Sequence, residues 1–94
     1  MLIVRNTFTA KPGQASKLAA LFKDMATSAS IPNHRVLTDV TGDFNHVVFE
    51  HQVESLAALD ALMETFANNQ VIRQKMAGYT DLWETGRREI LKIM

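Results

Sequence analysis

The sequence predicts an α+β protein with the element order β-α-β-β-α-β and an antiparallel four-stranded sheet. Three observations carry this. The run His34 to Glu54 alternates in polarity on both sides of Gly42-Asp43-Phe44-Asn45, as two strands joined by a turn do. An amphipathic helical stretch lies on either side of that pair. Strand-like segments occupy both ends of the chain.

In the first segment, Met1 to Thr9, Leu2, Val4, Asn6 and Phe8 share one face, and Ile3, Arg5, Thr7 and Thr9 the other. Lys11-Pro12-Gly13 breaks the strand, because Pro lacks the N–H that a ladder needs. From Gln14 to Ala29 the period becomes helical, with Ala15, Leu18, Ala19, Phe22, Met25 and Ala26 on one stripe. Ile31-Pro32-Asn33 ends it, since a residue before Pro is pushed out of the α region.

In the central pair, Val36, Thr38 and Val40 oppose Arg35, Leu37, Asp39 and Thr41. Val47, Phe49, His51 and Val53 oppose His46, Val48, Glu50 and Gln52. Apolar groups on both faces predict a sheet covered on both sides. The chain's own helices can take one side, and a partner subunit the other.

Ser55 fits the N-cap of the second helix, whose stripe is Leu56, Leu59, Leu62, Met63 and Phe66. Asn68-Asn69 weakens that helix, Val71 to Met76 fits a further turn or two, and Gly78 is a stop. Tyr79 to Glu84 fits neither period. Arg87 to Met94 alternates again and is read as the last strand.

The bulk composition excludes several classes. With 94 residues the chain fits one domain spanning 1–94, and with 47% hydrophobic and 21% charged residues it is too apolar to be disordered. An apolar surplus in so short a chain points to a homodimer. Ten basic and ten acidic side chains cancel, so no nucleic-acid partner is expected. No segment is apolar enough for a bilayer or a signal peptide, so no membrane partner is expected and the reading is cytoplasmic. The absence of Cys excludes disulfides, thiolate metal sites and a Cys nucleophile. No P-loop, GxGxxG, GxSxG or HExxH motif occurs.

The element order matches a ferredoxin-like fold. Three further features narrow it. The first strand ends in Lys11-Pro12-Gly13-Gln14, the strand Phe49 to Ser55 runs straight into the second helix, and a short apolar strand follows Gly86 to Glu89. Together these resemble the dimeric α/β-barrel superfamily, which includes antibiotic-biosynthesis-type monooxygenases, NIPSNAP-like proteins and haem-degrading monooxygenases. The resemblance implies two sheets packed face to face in a dimer, with helices outside and an apolar pocket between sheet and helices. It also implies oxidation of an apolar or aromatic substrate by O₂ with no cofactor. Haem-degrading members use an Asn on the first strand with a Trp and a His from the second helical region. Asn6 matches the Asn. Leu62 or Met63 stands where the Trp is expected and no His lies near Ile72 and Arg73, so haem degradation is not implied.

Two polar residues interrupt apolar strand faces, and these are the candidate catalytic residues. Asn6 lies between Val4 and Phe8; its amide can stabilise an enolate-like anion, or simply be satisfied by neighbouring backbone. His51 interrupts Val47-Phe49-Val53; its ring can take a phenolic or enolic proton, or be a paired core histidine. Phe49, Tyr79 and Trp83 are the candidate substrate-binding residues. Tyr79 and Trp83 share one face if that segment is helical, and there they either line an aromatic pocket or plug the core or seal the dimer. Arg87 and Arg88 face opposite sides of a strand; either one binds an acidic substrate or both are solvated. His34 and His46 are expected to be exposed. His46 and Glu50 are about 13 Å apart along a strand, too far for one metal. No metal site is expected. A non-catalytic ligand-binding or assembly module of the same fold is the alternative to an enzyme.

Overall fold

The computed structural model describes residues 1–94, folded into two layers within an envelope of 35 × 35 × 19 Å. One layer is an antiparallel sheet of β1 (Leu2–Ala10), β2 (Arg35–Thr38), β3 (His46–Val53) and β4 (Trp83–Lys92). Its spatial order is β2-β3-β1-β4, so the first and third strands are central. The other layer holds α1 (Ala15–Ser28), α2 (Leu56–Asn68) and α3 (Gln70–Lys75), followed by a 3₁₀ turn over Tyr79–Leu82. This is the ferredoxin-like arrangement.

The helices form where the apolar period dictates. In α1, Leu18, Phe22, Met25 and Ala26 are buried against the sheet. The reversal after it uses left-handed backbone at Ser30 and Asn33, on either side of Ile31-Pro32. In α2 the Ser55 side chain accepts the Ala58 N–H at 3.1 Å, satisfying one of the first-turn donors. Asn69 closes α2 and caps α3: its side chain accepts the Ile72 N–H at 3.1 Å. That break lets the chain turn and bring Ile72 into the core. Gly78 then takes φ +77°, a left-handed conformation suited to glycine.

Two boundaries differ from the sequence reading. The second strand stops at Thr38, and residues 39–45 form a longer connection than a four-residue turn. Val40 and Phe44 are exposed there rather than paired. The Asp39 carboxylate accepts the His46 N–H at 2.8 Å, which diverts the chain before β3. The last strand begins at Trp83, four residues before the expected Arg87, because the 3₁₀ turn delivers the chain directly to the β1 edge. The pairing slips between Thr9 and Ala10, where Trp83 comes opposite Ala10.

The covered face of the sheet carries Val4, Asn6, Phe8, Val47, Phe49, His51 and Val53. The main core packs Phe22, Leu18 and Met25 against Val47 and Phe49, with Ile72 and Leu82 beside them. A smaller cluster joins Val4, Val53 and Leu59. Rings run in sequence across the sheet: Trp83 to Phe8 at 5.1 Å, Phe8 to Phe22 at 5.0 Å, Phe22 to Phe49 at 5.6 Å, and Phe49 to His51 at 5.4 Å.

The opposite face has no helix. It shows Ile3 and Val48 half-buried and Leu37 and Leu91 exposed. Across its middle runs a row of alternating charge, one residue from each strand: Arg35, Glu50, Arg5 and Glu89. Glu50 is 4% exposed and accepts from Nε of both Arg5 and Arg35. Burial pushes its carboxyl pKa up, but the two guanidinium groups outweigh this and hold it below the ordinary 4.5.

Candidate functional site

A cavity of about 340 Å³ lies between the covered sheet face and the helices. Ten of its 14 lining residues are hydrophobic, among them Phe8, Phe22, Phe49, Phe66, Met76 and Tyr79. The four polar ones are Asn6, His51, Arg73 and Arg88. The size falls at the small end of small-molecule sites, which run from about 300 to 1,000 Å³.

Strand register puts the polar groups together. Residues directly opposite in an antiparallel pair point to the same side. Asn6 is opposite Phe49 on one side and Arg88 on the other, so these three form a row over β3, β1 and β4. His51 sits in the next row, opposite Val4, which is itself opposite Ile90. Asn6 and His51 therefore face the same cavity, a relationship the sequence left open.

Asn6 is 8% exposed. Its Oδ1 accepts Arg88 Nε–H at 2.7 Å, a charge-assisted bond that fixes which way the amide lies. Its Nδ2 donates to the Phe49 carbonyl at 3.4 Å, a long bond, and its second N–H has no protein partner. An amide held this way can donate to an oxyanion.

His51 is 4% exposed, and its Nδ1 is buried with no hydrogen-bond partner. Burial lowers its pKa below the ordinary 6.5, and the Arg88 charge lowers it further. The Gln52 backbone opposes this shift, but no hydrogen bond to Nδ1 has acceptable geometry. At neutral pH the imidazole is thus uncharged and able to accept a proton.

Phe49 and Tyr79 line the cavity beside them. Trp83 does not. It packs behind the cavity on Phe8 and at 6.3 Å from Tyr79, with its Nε1 buried and unpaired. Tyr79 and Trp83 are neighbours through the junction of a 3₁₀ turn with β4 and not through a helix. Gly86 is part of the same packing: a Cβ there would lie 2.9 Å from the Phe8 ring.

His34 and His46 are half-buried rather than exposed, and His34 Nδ1 lies 2.7 Å from the Ile31 carbonyl oxygen. No group of three or more His, Asp or Glu side chains is placed to hold a metal. The sequence reading missed Arg73, and left Arg88 undecided between solvent and substrate. Position parity gives Arg88 a partial signal, a face shared with Ile90. Leu91 and Ile93 make the other face apolar too, and only the register with β1 decides which one is covered. Arg73 carried no such signal, because its place depends on the break at Asn69.

No protein-family model matches the chain, and no curated protein matches it. Solved structures do. A NIPSNAP domain protein from Burkholderia xenovorans superposes with a TM-score of 0.85 at 18% identity, covering 100% of this chain and 95% of that one. A NIPSNAP family protein from Agrobacterium tumefaciens gives 0.86 at 13% identity, covering 99% and 92%. A structure described as an antibiotic biosynthesis monooxygenase gives 0.75 at 16% identity, covering 100% and 99%. The chain has the fold these proteins share, as its ferredoxin-like pattern and three sequence features led one to expect. No helix is long and apolar enough to cross a membrane.

Proposed function

We propose that the chain is a small-molecule enzyme resembling cofactor-independent monooxygenases, acting on an apolar or aromatic phenol or enol in this cavity. The observation that carries this reading is that Asn6 and His51, whose buried Nδ1 has no hydrogen-bond partner, line one mostly apolar cavity. The likeness of fold to an antibiotic biosynthesis monooxygenase supports it.

In this reading His51 takes the substrate hydroxyl proton, and the free N–H of Asn6 stabilises the resulting anion. Phe49 and Tyr79 hold the substrate ring. Trp83 acts through Phe8, as a support for the cavity wall. The anion is electron-rich enough to react with O₂. One oxygen atom bonds to a ring carbon, whose C–H breaks, and the other leaves as water. For a phenol becoming a quinone, all four electrons that reduce O₂ come from the substrate. No outside reductant is consumed.

The open face supports a homodimer with sheets face to face. Its Ile3, Leu37, Val48 and Leu91 would lose water on pairing. The Arg35-Glu50-Arg5-Glu89 row sums to zero, so burying it removes no net charge from water. Sedimentation at micromolar concentration should show a dimer; a stable monomer would remove this part.

The enzyme reading is tested with an oxygen electrode and a panel of quinols and polyphenols. Oxygen uptake above the uncatalysed rate, at one O₂ per product, is expected for at least one. Uptake equal to buffer across the panel would count against it.

A further inference from the structure

The chain has five arginines, and they divide by place. Arg5 and Arg35 are paired with Glu50, and Arg87 with Glu89. The other two, Arg73 and Arg88, form no ion pair, and both line the cavity. No Asp or Glu lines it. Arg88 uses Nε to hold Asn6, and its two terminal nitrogens make no hydrogen bond. The Arg73 guanidinium makes none. Both side chains are exposed, while the rings of Phe22 and Phe49 are buried. The cavity is therefore apolar within and cationic at its mouth, in a chain whose charges sum to zero.

We infer that the cavity takes an organic carboxylate: an apolar or aromatic body goes in against Phe22 and Phe49, and the carboxylate rests at the mouth between Arg73 and Arg88. A planar guanidinium offers paired N–H donors that match the two carboxylate oxygens. Arg88 is preset for this role because its Nε is already held. The buried Nδ1 of His51, with no partner in the protein, is the second sign that something polar is meant to enter. This deepens the reading of the site as a small-molecule enzyme and rests on the same cavity. The carboxylate is a handle that orients the substrate, distinct from the hydroxyl whose proton His51 takes.

The test compares 2-naphthoate with its neutral counterpart 2-naphthamide, by calorimetric titration of the full chain at pH 7. Naphthoate should bind at least tenfold more tightly. Arg73→Gln and Arg88→Gln should each cut that preference several-fold, and the double variant should erase it. Arg88→Lys should keep part of it. Raised salt should weaken naphthoate and leave naphthamide unchanged. Equal affinity for the two probes, no binding of either at millimolar concentration, or a preference that survives in the double variant would each overturn the inference. Thermal melts of the variants separate lost contacts from lost folding, and Arg73→Gln, on an exposed helix position, provides the reading if Arg88→Gln does not fold. Binding is read without turnover, so the two claims fail separately. Naphthoate preference without any oxygen uptake removes only the oxygenase. Oxygen uptake on neutral phenols without a charge preference removes only the carboxylate handle.

Discussion

Arg88 Nε donates to Asn6 Oδ1 at 2.7 Å across the β1–β4 pair, joining an exposed cation to a buried amide on the covered face of the sheet. The bond orients the Asn6 amide, the buried donor that meets a substrate oxyanion in this reading. Asn6→Ala should lower kcat by about 10²–10³-fold, as expected for loss of a single oxyanion donor. It should also cost about 1–3 kcal/mol of stability by removing a buried, hydrogen-bonded amide. Steady-state kinetics and urea unfolding on the same protein separate the two effects.

The activity should have an acid limb set by His51. Only the neutral imidazole accepts the proton, and its pKa lies below 6.5. Turnover should therefore hold at pH 7 and fall at a midpoint below that value. Arg88→Gln removes a cation that disfavours the imidazolium, so it should move the midpoint to higher pH. A pH–rate profile of both proteins reads the direction.

The stability profile should fall in two windows as pH is lowered, and the signs follow from linkage. His51 is harder to protonate folded than unfolded, so its contribution is complete above 6.5 and is lost as pH drops toward its folded pKa. Glu50 is likewise depressed, so its contribution is complete above 4.5 and is lost as pH falls through its lower folded value. Glu50→Gln should remove the second window and leave the first. It should cost about 2 kcal/mol at pH 7, in the range for charged hydrogen bonds, with part of the effect screened because Arg5 and Arg35 are partly exposed. Urea midpoints across pH measure both.

Gly86→Ala should disturb the cavity from behind. The new Cβ would lie 2.9 Å from the Phe8 ring, so the ring must move. Overpacking of this kind costs about 1–3 kcal/mol. Phe8→Leu should relieve it, and the double variant should be less destabilised than the sum of the two single changes. Thermal unfolding of the four proteins completes the cycle.

The alternation Leu2, Val4, Asn6, Phe8 and the stripe Leu18, Phe22, Met25 were legible because period alone decides them. Ser55 was legible because a cap is a local bond. The meeting of Asn6 with His51 was not, since a slip of one residue between β1 and β3 would turn either side chain to the opposite face. Register comes from the whole ladder and from the turns, and no short stretch of sequence carries it. The place of Trp83, packed on Phe8 behind the cavity, was not legible for a related reason. A 3₁₀ turn of four residues has no apolar period to read, so the start of β4 stayed hidden inside Tyr79 to Glu84. Arg73 sits on a six-residue helix whose direction is set by the Asn69 break, a tertiary fact.

The role of His51 as the base is decided by oxygen uptake by the unaltered chain and by His51→Ala, each shown to be folded, on the best quinol or polyphenol of the panel. Catalysed uptake that falls by at least a hundredfold in the variant is expected. Full turnover in folded His51→Ala, or no catalysed uptake by the unaltered chain, would contradict it.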